Sequence, residues 1–118
     1  MQPTPQVTPQ DVLRVARRDF PSTPEDEIRA ILEEYGKESF HREIDRVRLA
    51  AMKLASGDVR RLKLQIDGAT QDYRDILAAA EYPRYDKMMF RIDRLSEADK
   101  NKIIESDWNQ YQTWLKKE

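Results

Sequence analysis

The chain has 118 residues, with 21 Lys or Arg against 22 Asp or Glu, so its formal net charge is −1 although 36% of its residues are charged. That balance excludes a global polycation or polyanion, and the lack of cysteine excludes disulfide frameworks, cysteine-ligated zinc and thiol nucleophiles. No apolar run reaches the ~20 residues of a membrane-spanning helix, and residues 1–8 lack the pattern of a signal peptide, which predicts a cytoplasmic protein.

The first eight residues are predicted to form a disordered leader, followed by a single helical domain over residues 9–118. Residues 2–6 are proline-rich and uncharged, a composition that favours extended polyproline II and offers nothing to bury. A functional alternative is that the leader is a proline-rich ligand for a partner, although it has no PxxP motif with a flanking Arg or Lys.

Two short helices are predicted next, each preceded by a Thr-Pro start signal, at residues 8–9 and 23–24. Their apolar faces are formed by Val12, Leu13, Ala16 and Phe20 in the first helix, and by Ile28, Ile31, Leu32 and Tyr35 in the second. Pro21 ends the first helix, and Gly36 ends the second because it accepts a left-handed conformation without a Cβ clash.

Alternating spacings of three and four between apolar residues predict two long helices, at about 38–56 and 58–81. The seams are Phe40, Ile44, Val47, Ala51 and Leu54 in the first helix, and Val59, Leu62, Ile66, Ala69, Tyr73, Ile76 and Ala80 in the second. Gly57 and the N-cap residue Asp58 join them, which predicts an antiparallel hairpin over about 38–81. Gly68, inside the second helix, indicates either a close approach of another helix or a glycine that the helix simply tolerates.

The rest of the chain is also predicted to be helical. Pro83 ends the hairpin, a short helix follows it, and Ser96 is a capping signal for residues 97–116, which form either one helix or two with a break near Ser106. No segment shows the alternation of apolar and polar residues that is typical of a strand. The predicted fold class is all-α, with about six helices around the central hairpin.

Large apolar residues lie opposite the two seams, where a simple hairpin would have charged residues. The candidate interface residues are Leu49, Met52, Leu64 and Tyr82, together with Trp108 and Trp114 of the last helix. Either other helices of the chain cover these residues, which is the commoner case, or the residues form a surface for self-association or for a partner.

Chemistry-bearing motifs are sparse. The only histidine, His41, is one helical turn from Asp45, and without an HExxH motif a surface ion pair explains this pair better than a metal site. Asp72, Asp75 and Tyr82 crowd the end of the hairpin and define an alternative small-molecule or enzymatic site. No glycine-rich phosphate loop is present, so neither a metal nor a cofactor is predicted.

Residues 42–63 carry an excess of positive charge, which supports nucleic-acid binding as a further alternative. The candidate phosphate-contacting residues are Arg42, Arg46, Lys53, Arg60, Arg61 and Lys63. The same charges can pair with the acidic segment at residues 25–38, so contact with nucleic acid is the weaker interpretation.

Three motifs carry a resemblance to known sequences. They are R-V-R-L-A-A-M-K-L-A-S-G-D at residues 46–58, D-Y-R-D-I-L at 72–77 followed by E-Y-P at 81–83, and D-W-N-Q-Y-Q-T-W-L at 107–115. The chain resembles, over about residues 27–115, a group of short uncharacterised bacterial helical proteins. The resemblance implies a bacterial, cytoplasmic setting and no particular activity, substrate or cofactor.

The sequence therefore predicts a non-enzymatic helical domain that acts through protein–protein contacts, with a homodimer as one form. The doubled apolar faces and the neighbouring acidic and basic segments support this hypothesis.

Overall fold

The computed structural model describes residues 2–118, and this part of the chain contains six α-helices, one 3-10 turn and no strand. The helices are α1 (Pro9–Asp19), α2 (Glu25–Glu33), α3 (Ile44–Ala55), α4 (Val59–Glu81), α5 (Pro83–Lys87) and α6 (Glu97–Lys116), with the 3-10 turn at Ile92–Arg94. The predicted all-α class is confirmed. None of the helices in residues 2–118 combines the length and the apolar character that a membrane crossing requires.

The predicted start signals hold for three helices. Thr8 caps α1 in a reciprocal box with Asp11, Asp58 caps α4, and Ser96 caps α6 by accepting the amide of Asp99 at 3.1 Å. The α2 helix differs, because Pro24 occupies its N-cap position and no side chain caps it. Residues 97–116 form one continuous helix, which answers the question that the sequence left open.

The central hairpin is present, but its first helix begins at Ile44 and not near residue 38. The Tyr35 hydroxyl donates a hydrogen bond to the carbonyl of Arg42 at 2.6 Å and accepts one from its amide at 3.1 Å. These two bonds hold the segment before α3 in a non-helical loop. The prediction that Phe40 belongs to the seam was therefore wrong, and its side chain is 66% exposed.

Backbone carbonyls at the end of α2 and just after it accept hydrogen bonds from a residue of α3. The guanidinium of Arg48 donates to the carbonyl of Leu32 at 3.1 Å and to that of Tyr35 at 2.8 Å. A cation at a helix C-terminus is favourable because it opposes the negative end of the helix dipole. The last turn of α2 contains no basic residue of its own, so Arg48 supplies this charge from across the fold.

The second helix of the hairpin is kinked, which the seam pattern did not predict. Asp72 has φ −152° and ψ 98°, an extended conformation, and its carboxylate accepts the amide of Arg74 at 3.1 Å. Asp72 thus acts as an N-cap inside α4 and starts a second helical segment at Tyr73. An aspartate carboxylate can accept a hydrogen bond from a nearby backbone amide, and this bond competes with the regular backbone hydrogen bonds of the helix.

The core lies between the hairpin and the helices packed on it. α1 and α4 pack against α3, α2 also packs on α4, and α5 packs between α4 and α6. The fully buried side chains include Val15, Val47, Leu49, Met52 and Leu62. Residues 2–7 form no helix, and Pro5 is buried. The disorder expected for the leader stays a prediction.

Candidate partner-binding site

An open cleft of about 320 Å³ lies where the first turn of α3, the end of α4 and α5 meet. It is lined by Arg46, Arg74, Leu77, Ala78, Glu81, Tyr82, Tyr85, Asp86 and Met89, and by leader residues 2–4. The kink explains why these elements meet. In a straight hairpin turning at residues 56–58, Arg46 would lie opposite Gly68, and Glu81 would be about 20 Å further along the helix.

A buried ion pair closes the inner wall of the cleft. The Arg46 Nη2 and Nε atoms donate to the two carboxylate oxygens of Glu81 at 2.7 and 3.1 Å, and Nη1 donates to Glu43 at 2.9 Å. Burial lowers the pKa of Arg46, but hydrogen bonds to Glu81 and Glu43 outweigh it, so that the pKa is raised. Burial likewise raises the pKa of Glu81, which is 3% exposed, and Arg46 opposes this shift.

The hydroxyl of Tyr82 bonds the leader across the cleft. It donates to the carbonyl oxygen of Pro3 at 2.5 Å, although 79 residues separate the two in sequence. Burial, and then the negative charge of Glu81, raise the pKa of Tyr82 to about 12. The hydroxyl therefore keeps its proton, and its capacity to donate, over the whole physiological pH range.

The α5 helix, which forms the outer wall, is fixed in place by a residue of α6. The carboxylate of Asp107 is fully buried and accepts the amides of Arg84 at 3.2 Å and Tyr85 at 2.9 Å. These are the first free amides of α5, so a distant acid caps the helix in place of a local side chain. Burial lowers the pKa of Lys53, and the nearby charge of Asp107 opposes this shift.

Two adjacent apolar side chains project to solvent beside the cleft. Met89 is 55% exposed and also lines the cleft, and Phe90 is 91% exposed. The surrounding segment at residues 84–94 is basic, with Arg84, Lys87, Arg91 and Arg94 against Asp86 and Asp93. We call Met89 and Phe90 the apolar pair. Adjacent exposed residues of this size are uncommon on a surface that contacts only water.

The structure separates the six predicted interface residues into three groups. Leu49, Met52 and Tyr82 are buried by the chain itself, so their positions opposite the seams reflect core packing and not a free surface. Leu64 is 69% exposed. Trp108 and Trp114 are half-buried, and the Trp114 ring packs under the guanidinium of Arg18, whose carbon is 5.1 Å from the ring centre.

The predicted basic stripe is divided between the two ends of the hairpin. Arg46 is bonded to two carboxylates, and Lys53 is half-buried, so neither is available to a phosphate backbone. Arg60, Arg61 and Lys63 are exposed near the start of α4. Arg42 is exposed at the other end, and the length of α3 places it about 18 Å away. A continuous stripe across these residues is therefore not formed.

The predicted acid–base cluster is likewise dispersed. Asp72 lines a hollow beside Tyr35 and His41, whereas Tyr82 lines the cleft described above. Asp75 is exposed. Hydrogen bonds from Arg74 lower the pKa of Asp72, as expected for local salt bridging and opposite to the shift of a general acid.

His41 does not pair with Asp45 as a helical neighbour, because it precedes α3. Its Nδ1 atom accepts the amides of Gly36 at 2.8 Å and Glu38 at 3.3 Å, and its ring stacks on Tyr35 with 4.4 Å between centroids. The histidine thus organises the loop. No group of three or more potential metal-ligating residues occurs within the part of the chain that the structure describes.

Sequence reasoning missed the residues that give this site its character. The short helix predicted after Pro83 ends at Lys87 and leaves the apolar pair in a turn. The run Met88-Met89-Phe90 between Lys87 and Arg91 is the available signal, because three consecutive large apolar residues cannot all face one side of a short helix.

The fold and the cleft together define a small all-α domain with one kinked hairpin at its centre. Comparison with protein-family models, with curated proteins and with solved structures finds no match to the chain. The resemblance to short bacterial helical proteins, and the bacterial and cytoplasmic setting that it implies, stay predictions.

Proposed function

We propose that the protein is a non-enzymatic binding domain that contacts a partner protein through the apolar pair and the adjoining cleft. The observation that supports it is the exposure of Met89, which lines the cleft, and of the adjacent Phe90. The walls of this cleft are fixed by Arg46–Glu81 and by Asp107. Burying an aromatic and a methionine side chain beside a preformed cleft provides the type of anchor on which protein interfaces depend.

The partner's contact surface follows from the chemistry of the rim. An apolar recess in the partner would take Phe90, and acidic side chains around it would face the four cations of residues 84–94. Catalysis is the weaker alternative because the carboxylate of Glu81, whose pKa is raised by burial, is bound by a guanidinium on both of its oxygens.

Affinity capture from native cells with matched baits tests the proposal. The baits are the wild-type chain, the double variant Met89→Ser/Phe90→Ser, and the control Leu64→Ser, which removes a similarly exposed leucine from a different face. We expect a partner that is retained by wild type and Leu64→Ser and lost by the double variant. A partner retained equally by all three would place the interface elsewhere and contradict the proposal.

Self-association is the simplest form of the proposal. Light scattering at micromolar concentration would then give twice the 14.0 kDa chain mass for the wild type, and the single-chain mass for Met89→Ser/Phe90→Ser. A monomer at all concentrations would leave a different protein as the partner.

A further inference from the structure

A proline-rich stretch of the chain packs along one edge of the cleft that its own helices form. Residues 2–4 are exposed and form part of the cleft wall, where Pro3 accepts the hydrogen bond from Tyr82, and Pro5, outside the cleft lining, is buried. Residues 2–6 carry no charge, although Arg46, Arg74, Glu81 and Asp86 all contribute to the walls. The leader is therefore held at the cleft by a backbone hydrogen bond and not by ion pairing.

The conformation of the leader follows from its two prolines. Each ring fixes φ of its own residue, and Gln2 and Thr4 are disfavoured from the helical region because each precedes a proline. A polyproline II segment makes no backbone hydrogen bonds within itself, so a carbonyl such as that of Pro3 can accept from a receptor. A groove that combines aromatic walls with a hydroxyl donor is the arrangement that reads such segments.

The cleft has both parts of this arrangement. Tyr82 and Tyr85 provide aromatic walls, Leu77 and Met89 provide apolar contact, and the Tyr82 hydroxyl provides the donor. We propose that the cleft is a receptor for an uncharged, extended, proline-rich segment of the partner, and that the leader covers part of this site, including the Tyr82 hydroxyl, in the partner's absence. This inference rests on the proposed function, because it extends the contact from the apolar pair into the cleft.

Occupancy by the leader predicts competition. A short tether gives the leader an effective concentration in the millimolar range, so it reduces the apparent affinity for any segment supplied from outside. If the leader holds the Tyr82 hydroxyl about nine-tenths of the time, an external segment that needs this donor binds about tenfold more weakly than it would to an uncovered site.

The experiment uses the 118-residue chain and a defined probe. The probe is a fluorescein-labelled peptide of residues 2–7, Gln-Pro-Thr-Pro-Gln-Val, and its binding is followed by fluorescence polarisation. The receptor variant carries Pro3→Gly and Pro5→Gly, which free the leader without shortening the chain. We expect this variant to bind the peptide about tenfold more tightly than the wild type does.

Two matched controls identify the site. Adding Tyr82→Phe removes only the hydroxyl donor and should weaken peptide binding about fivefold, the effect of one hydrogen bond. The peptide Gln-Gly-Thr-Gly-Gln-Val, which lacks both prolines, should bind no variant measurably. Thermal unfolding of each variant verifies that the fold is intact before binding is compared.

Three outcomes would overturn the inference. The first is no binding of the proline peptide to the freed-leader variant at millimolar concentration. The second is binding that ignores both Tyr82→Phe and the loss of the prolines. The third is a dimer of the wild type that Pro3→Gly/Pro5→Gly dissociates, because the leader of a second copy would then be the occupant. A partner captured through Phe90 would still support the proposed function under either of the first two outcomes. The proposed function and this inference can therefore fail separately.

Discussion

The two ends of the central hairpin are built on different principles. At the closed end, residues 56–58, the turn is made by its own residues: Gly57 adopts φ +83°, and the Asp58 carboxylate accepts the amides of Arg60 and Arg61. At the open end, where α4 bends, the structure depends on distant pairs. Arg46 reaches Glu81 across 35 residues, and Asp107 reaches Tyr85 across 22. The cleft lies at the open end.

This difference shows where a helical chain can place a binding site. A closed turn satisfies its backbone groups locally and leaves no room for a ligand. An end held by long-range polar contacts leaves open space between those contacts, and each contact fixes one wall of the cleft. We expect substitutions at the open end to alter both stability and the cleft, and substitutions at the closed end to alter stability alone.

Breaking the Arg46–Glu81 pair should have the largest effect. Arg46→Met leaves a buried carboxylate without a partner and should lower the free energy of unfolding by about 3–5 kcal/mol in urea titrations. The double variant Arg46→Met/Glu81→Leu should regain most of this loss. As a control, Arg74→Met removes an exposed pair, 77% exposed on the arginine side, and should change stability little. Equal stability of both single variants would contradict a structural role for the buried pair.

Alkaline pH should weaken the open end through Tyr82. Its pKa rises from 10.0 to about 12 in the folded chain, so the folded state holds this proton more tightly than the unfolded state does. The resulting stabilisation, on the order of 2 kcal/mol, is complete below pH 10 and is lost as pH rises through 12. Unfolding free energies measured from pH 9 to 12 should therefore fall more steeply for the wild type than for Tyr82→Phe. Parallel curves would refute the assignment.

A smaller effect is expected at the closed end. Gly57→Ala forces an L-residue into a left-handed conformation and places a Cβ 3.2 Å from the carbonyl of Asp19, so it should cost about 1–2 kcal/mol. When Gly57→Ala is added to the Pro3→Gly/Pro5→Gly variant, binding of the proline peptide should not change. A loss of peptide affinity would show that the two ends are coupled.

The smallest expected effect is a gain in stability. Gly68 has a helical conformation, and an added Cβ would meet only the Cδ1 atom of Ile76 at 3.5 Å, an ordinary contact. Gly68→Ala should therefore stabilise the chain by about 0.5–1 kcal/mol through helix propensity, visible as a higher Tm. A lower Tm would mean that the two segments of α4 need a flexible residue near their junction.

The closed end was predictable from sequence, and the open end was not. Seam spacing and the Gly57-Asp58 pair predicted the hairpin turn, because both are local signals. The kink was missed because the seam continues through Asp72 without interruption. The signal was present, since Asp72 with Asp75 three residues later forms the acidic pattern of a helix start. The apolar residues opposite the seam could not be assigned to core or surface from one chain, because that depends on which helices pack on them.

The bond from Arg48 to the end of α2 has a consequence for the order in which the chain folds. α2 has nine residues and no side-chain cap, a length at which an isolated helix is marginal in water. Its terminal carbonyls are bonded by a residue that occupies its native position only after α3 has formed. We therefore expect the hairpin to form before α2, and native-state hydrogen exchange should show α2 opening before α3.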